Sequence, residues 1–297
     1  MAEFAGLLKG AYDLHVHSAP DVLPRKMDDM EMAQRIVDNE MAGYAIKSHY
    51  FCTAERAEII KKIFPKCRAI GAITLNSSVG GINPIAVEMA ARSGAKIVWF
   101  PTCDSAHEVA HVFNGDPNKK LPYWAQIVIQ MREAGIKSPS ITILENGKIK
   151  KEVYEVLDVI AAHNMILATG HISHEEAFAL VDAAVERKVG RIVITHADFP
   201  TTFYTEEEQS VFIRKGAYIE HCFTTWATGK SDFATVVRQI RAAGPDRVIL
   251  STDLGQKDAL YPDEGLREFA RRLIKEEGLA ETDVQKMIVH NPAHLVA

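Results

Sequence analysis

The sequence of 297 residues contains no stretch of about 18 apolar residues, so no segment of it reads as a membrane-spanning helix. Its four cysteines, Cys52, Cys67, Cys103 and Cys222, lie far apart and form no CxxC pair. A chain of this size needs no disulfide staple, and nothing points to an oxidising compartment. Basic blocks are also missing. The Lys61-Lys62 and Lys119-Lys120 pairs and the run at 148–151 are short and scattered, and the net charge is −5, which argues against nucleic acid as a partner. Residues 1–10 carry Glu3 where a signal peptide wants a basic region, and their apolar run is too short. Repeats and low-complexity segments are absent. The expectation is a soluble, cytoplasmic protein that handles a small molecule; a homo-oligomer is compatible with the sequence.

What is present is ordinary globular composition, 47% hydrophobic and 25% charged. Short, nearly continuous apolar runs fall at 12–16, 44–47, 69–74, 97–100, 165–169, 192–195, 218–219 and 248–250. Such runs predict strands buried on both faces. Amphipathic segments at 30–41, 55–64, 153–163, 175–188 and 233–243 predict helices between them. Gly43, Gly94, Gly190, Gly216 and Gly244 each fall between a helical segment and the next strand, where a helix C-cap is expected.

Successive strand ends are roughly 24 to 33 residues apart, one βα unit each, except for a fourth step of roughly 69. Eight such units in series predict a single (β/α)8 TIM barrel over 1–297. The alternative is a distorted seven-stranded barrel, because the seventh run is short. The long step is an insertion after strand 4, about 103–150. It holds a Pro/Asn/Gly loop at 114–122, a helix at 123–134 and a hairpin turning at Asn146-Gly147. An insertion there emerges at the face where barrel active sites lie, as a lid or as a surface excursion or oligomer contact.

Strand 1 closes on Asp13-Leu14-His15-Val16-His17-Ser18. Residues i and i+2 of a strand point the same way, so His15 and His17 can face one ion. Roughly half a His-x-His pair is expected by chance in such a chain, so position must supply the specificity. It does: His171 follows strand 5, His196 follows strand 6 and Asp253 follows strand 8. A barrel converges its strand ends on one pocket. Imidazole and carboxylate donors suit Zn²⁺, with Mn²⁺, Fe²⁺ or Ni²⁺ as alternatives.

This order of ligand types closely resembles the amidohydrolase superfamily of metal-dependent barrels, over nearly the whole chain. The tail Asn291-Pro292-Ala293-His294-Leu295 looks like the closing helix of its TatD and phosphotriesterase-like members, and the overall likeness is to an uncharacterised amidohydrolase-like group. The resemblance implies that His15, His17, His171, His196 and Asp253 hold metal. It also implies that Asp253 handles the proton of the attacking water. Binuclear members usually carry a bridging carboxylated Lys or a Glu near the end of strand 3 or 4. Here strand 4 ends Val98-Trp99-Phe100-Pro101-Thr102. The nearest candidate is Lys47, at the end of strand 2 with His49 on the same face. Three roles are open to Lys47: a carbamate ligand, a cation for an anionic substrate, or a core-edge lysine reaching solvent. One metal ion or two remains open.

Two motifs compete. His107-Glu108-Val109-Ala110-His111 matches the zincin pattern HExxH, but Asn114-Gly115-Asp116-Pro117 stops the helix at once. His107 is instead expected to reach the barrel pocket. Asp13 to Ser18 also looks like the first motif of PHP-type phosphoesterases. Those usually end in Asp-x-His, where this chain has Asp253-Leu254-Gly255. Arg25, after strand 1, is a candidate grip for a carboxylate or phosphate, or a solvated loop residue. His221 is expected just past strand 7, lining the pocket. Tyr50 and Thr225 either contact substrate or pack.

The function expected is hydrolysis of a small polar ester, amide, lactone or phosphoester by a metal-activated water, with Asp253 and Lys47 as catalytic residues. Arg25, His49, His107 and His221 are the substrate-binding candidates. A PHP-type phosphoesterase or a single-metal decarboxylase is the alternative, with a zincin-type protease or a non-catalytic binding barrel behind them.

Overall fold

The computed structural model describes residues 6–116, 121–137 and 140–297. The Lys119-Lys120 pair, part of the 114–122 loop and the first five residues lie outside that set.

Eight strands form one parallel sheet in sequential order: β1 (Tyr12–Val16), β2 (Gly43–Ile46), β3 (Arg68–Thr74), β4 (Ala95–Trp99), β7 (Ile166–Ala168), β8 (Ile192–Ile194), β9 (Tyr218–Cys222) and β10 (Val248–Ser251). The sheet closes between its ends: Val16 bridges Leu254 in parallel, the His17 N–H donates to the Leu254 carbonyl at 2.8 Å, and the Asp253 N–H donates to the His15 carbonyl at 2.8 Å. This is the (β/α)8 barrel that the strand spacing predicts. The seven-stranded alternative fails because β9 is a full strand of five residues.

Two apolar layers hold it. Inside the barrel pack Tyr12, Leu14, Ala45, Ile70, Ala72, Ile97, Trp99, Ile166, Val193, Tyr218 and Ile249. The tail helix Asn291–Val296 adds Leu295 and Val296 to this set and so plugs one end. Its Asn291 Nδ2 donates to the Pro245 and Val248 carbonyls at 2.7 Å, locking the tail to the start of β10. The outer layer lies between strands and helices. Helix Pro262–Lys275 buries Leu266, Phe269, Ala270 and Leu273, a spacing that puts them on one face. Burying each large apolar side chain contributes roughly 1.5–3 kcal/mol.

Capping boxes start the helices that follow β1, β7 and β8: Asp28 with Glu31, Ser173 with Glu176, and Thr205 with Glu208. Helix C-termini depart from expectation at two glycines. Gly43 lies in β2, where an added Cβ would sit 2.1 Å from the Arg68 carbonyl oxygen, so it is a strand-contact glycine. The left-handed residue ending Asp29–Asp38 is Glu40, and after His174–Glu186 it is Lys188 rather than Gly190.

The insertion comprises α4 (Ala106–Val112), α5 (Ala125–Glu133) and an antiparallel hairpin of β5 (Leu144–Glu145) and β6 (Lys148–Ile149). The hairpin turns on Asn146 and Gly147, both with positive φ, the conformation that Asn-Gly favours. It is shorter than expected, because Ile141 pairs with Ser105 instead. Glu176 anchors the segment by accepting from the Ile143 N–H at 2.8 Å and from Thr142 Oγ1 at 2.5 Å. The N-terminal part of α5 packs Trp124 and Ala125 on Leu23, Cys103 and Val112. Among the described residues, no helix is long and apolar enough to cross a membrane.

Candidate metal centre

The C-terminal strand ends deliver the candidate ligands to one mouth. His15 lies within β1 and Lys47 directly follows β2, while His17, His171, His196 and Asp253 follow β1, β7, β8 and β10. Backbone shape does part of the positioning. His196 (φ 25°) and Asp253 (φ 53°) are non-glycine residues with positive φ, a costly conformation that the surrounding contacts hold. Gly170, preceding His171, also has positive φ, and a Cβ there would lie 2.2 Å from the Phe100 carbonyl oxygen. Gly255 is obligatory for the same reason: a Cβ would lie 1.7 Å from the His17 carbonyl oxygen. No histidine fits at that position, so the terminal Asp-x-His of PHP-type enzymes is sterically closed to this backbone.

His15 Nε2 and His17 Nε2 lie 3.2 and 3.1 Å from Asp253 Oδ1. Ligand atoms of His15, His17 and Asp253 all fall within 4.8 Å of one another. Beside them, His171 Nε2 and His196 Nε2 face each other at 3.0 Å, and the His15 and His196 rings stack at 5.8 Å. Two ligands each about 2.1 Å from a tetrahedral ion lie about 3.4 Å apart, so these separations suit donors that share an ion. The sequence-predicted ligands are thus brought together, and their imidazole and carboxylate chemistry fits a divalent metal.

Protonation states agree for His17, His196 and Asp253 but not for His15. Burial, reinforced by Arg25, pushes His17 down to about 3, and burial also lowers His49 and His196 well below the usual imidazole range. Burial works against the Asp253 carboxylate, but His15 and His17 outweigh it and hold its pKa well below the ordinary value. Neutral imidazoles beside an ionised carboxylate are the forms that bind metal; at His15, burial and Lys47 are outweighed by Glu220 and Asp253, which raise the pKa, so metal binding there displaces a proton.

Around the ligands stands a set of orienting groups. Glu220 Oε2 accepts from His15 Nδ1 at 3.1 Å and from the His196 N–H at 3.2 Å. Thr202 Oγ1 lies 3.2 Å from His196 Nδ1, and Thr224 Oγ1 donates to Asp253 Oδ2 at 3.0 Å. Glu108 Oε1 faces His171 Nδ1 at 3.5 Å, and among the described residues neither that nitrogen nor Glu108 Oε2 has a hydrogen-bond partner. Glu220 is the main residue that sequence reasoning missed. It also forms a second buried group of potential ligands with His15 and Cys222.

Lys47 is 1% exposed, which excludes the solvent-reaching role. Its Nζ lies 2.8 Å from His15 Nε2 and 5.1 Å from the centroid of the Trp99 ring. Burial lowers its pKa. Of the substrate-binding candidates, His49 lines the cavity; its ring stacks on His17 at 4.9 Å and its Nδ1 meets Thr102 Oγ1 at 2.8 Å. Arg25 lines it too, but is not solvated: it is paired with Asp21, the two side chains being 3% and 1% exposed.

Two candidates are misplaced by the sequence reading. His221 lies inside β9, not after it, and its side chain is fully buried with Nδ1 3.1 Å from Asp198 Oδ1. Side chains alternate along a strand, so Glu220 turns into the barrel and His221 turns away. His107 bonds the Thr201 carbonyl at 2.7 Å through Nε2 and does not line the cavity. On the roughly two turns of α4 it is Glu108 that faces inward, so the HExxH pattern splits between two sides. Among the described residues, His107 and His111 belong to no group with metal-binding spacing. Tyr50 and Thr225 are buried for the most part, Thr225 completely.

The cavity above the ligands is small, about 80 Å³ in volume, and opens to solvent. Pro122, Tyr123 and Trp124 from the insertion form one wall, and Tyr123 Oη donates to the Pro24 carbonyl at 3.1 Å.

Solved structures share this architecture end to end. An amidohydrolase from Pseudomonas aeruginosa is similar with a TM-score of 0.62 at 9% identity, covering 99% of this chain and 97% of that one. The probable dipeptidase PvdM from the same organism gives 0.63 at 12%, covering 99% and 96%. Organophosphorus hydrolase from Deinococcus radiodurans gives 0.60 at 14%, covering 99% and 94%. At such identities the likeness is one of fold, the (β/α)8 barrel. No curated protein matches the sequence. The model of a family of unknown function, DUF6282, matches residues 10–220, and the chain belongs to that family.

Proposed function

We propose that this protein is a metal-dependent hydrolase acting on a small polar ester, amide, lactone or phosphoester. The observation that carries the reading is the convergence of His15, His17 and Asp253 at the barrel mouth, their ligand atoms within 4.8 Å of one another. His171 and His196 complete the donor set, for one ion or two, with zinc favoured by its nitrogen-rich chemistry. When bound, the ion supplies a water acidic enough to yield hydroxide near neutral pH. The chain's own contribution starts at Asp253. Its carboxylate is ionised and oriented by Thr224, so it can accept a proton and return it to a leaving group. Glu220 holds His15 with Nε2 toward the site. Pro122, Tyr123 and Trp124 wall the cavity on one side.

The test is elemental analysis of the purified protein, followed by turnover of an ester, lactone and phosphoester panel by metal-free and reconstituted samples. The expected result is a stoichiometric first-row divalent metal and activity that depends on it. A wild-type protein that takes up no stoichiometric metal on reconstitution overturns the proposal.

A further inference from the structure

The mouth cavity is lined by three basic side chains, Arg25, Lys47 and Lys230, and, among the described residues, the single carboxylate Asp253. Two of the basic groups are already engaged. Arg25 is paired with Asp21, Nε to Oδ2 at 2.7 Å, and Lys47 Nζ is bonded to His15. Lys230 is different. It is exposed, and its only side-chain contact among the described residues is with the face of Phe199, Nζ 4.5 Å from the ring centroid. Phe199 in turn lies 4.7 Å from the His196 ring and 6.0 Å from the His171 ring. The ammonium therefore stands one aromatic ring away from the candidate ligands, across a cavity whose other walls include Tyr123 and Trp124.

We infer that Lys230 is a specificity residue that binds an anionic group of the substrate, and that the body of that substrate is flat and apolar, held between Phe199 and the Tyr123–Trp124 wall. The inference rests on the hydrolase reading for the place of chemistry but not for the binding preference. A cation at the rim attracts an oxyanion and rejects a neutral isostere only weakly, whereas the aromatic walls hold the flat ring that both probes share. The metal ligands sit deeper than Lys230, so a bond cleaved there belongs to a substrate whose charge lies away from the scissile group.

The probes are 4-nitrobenzoate and its neutral isostere 4-nitrobenzamide, titrated by calorimetry into metal-loaded and metal-stripped protein. Wild type is expected to favour the benzoate. Lys230→Gln should weaken benzoate binding about fivefold and Lys230→Glu further, while Lys230→Arg retains it and none of the three changes amide binding. Phe199→Leu should weaken both probes. Metal content of each Lys230 variant is measured alongside and should equal wild type. Benzoate affinity that is lost on metal removal but indifferent to Lys230→Glu overturns the inference, since the carboxylate is then a metal ligand. Absence of any preference for the anion in wild type overturns it equally. A Lys230-dependent preference that persists in protein unable to hold metal supports the inference while refuting the hydrolase reading.

Discussion

Asp13 joins the first barrel strand to the end of the last: its Oδ2 accepts from Thr252 Oγ1 at 2.5 Å and its Oδ1 from the Thr252 N–H at 3.1 Å. The same Oδ1 accepts from the His15 N–H at 3.1 Å. One buried carboxyl thus ties the residues that present His15 and Asp253. Burial pushes its pKa up to about 7, against the opposing pull of these donors. In the folded protein Asp13 keeps its proton to about pH 7, while in the unfolded chain it loses it near 3.8. Its contribution is therefore greatest below about pH 4 and is lost as pH rises to about 7, a swing on the order of 4 kcal/mol. Asp13→Asn should remove that dependence. Thermal unfolding of metal-free protein at pH 5 and pH 8 measures it, with the variant gaining on wild type at the higher pH. A difference between the two proteins that does not change with pH would refute the assignment.

Glu220 is a positioning residue for His15 and His196, and the expected cost of losing it appears in metal affinity. Carboxylates that orient a metal-binding histidine typically contribute 10- to 100-fold. Glu220→Gln should weaken metal binding about tenfold with the fold intact by circular dichroism, because the amide still accepts from His15 without the charge. Glu220→Ala should weaken it further. Competition with a calibrated chelator gives both numbers, and equal affinity in wild type and the alanine variant would remove Glu220 from the site.

The case of Glu220 also shows where sequence reading stops. Apolar runs locate seven strands closely, because strands covered on both faces are apolar throughout. The run Tyr218-Ile219 ends early for the same criterion, since Glu220 and His221 are polar residues inside β9. Shortening the strand by three residues leaves His221 free to be assigned to the pocket. The true strand fixes its parity and reverses the two residues. His15, His17, His171, His196 and Asp253 were legible because strand ends converge whatever the loops do. His107 was not, because its direction depends on insertion contacts, here the Thr201 carbonyl; Arg25 does line the cavity, but its pairing with Asp21 is set by the loop and was not legible.

The HExxH segment makes a separate prediction. His107→Ala combined with His111→Ala should leave metal content unchanged, while His15→Ala with His17→Ala should reduce it strongly. The first pair lies outside every group of metal-binding spacing among the described residues, and the second lies within one. Loss of metal in the first variant with retention in the second would reverse the assignment of the centre.

Lys47 yields the most discriminating experiment, because its two remaining roles predict different readouts. Its Nζ lies 2.8 Å from His15 Nε2, and burial lowers its pKa, which favours the neutral amine. A neutral amine among metal ligands can add to carbon dioxide and become a carbamate ligand; a protonated one would instead attract an anionic substrate. If it is a carbamate ligand, Lys47→Ala should lower metal content, and bicarbonate with acetate should restore part of it. If it is a substrate cation, Lys47→Ala should keep the metal and lose turnover, most for anionic substrates. Lys47→Met separates either role from packing, since it keeps the length and apolar stem of the side chain under Trp99 while removing the amine. Full metal content and full activity in Lys47→Met would show that the amine has no part in the chemistry.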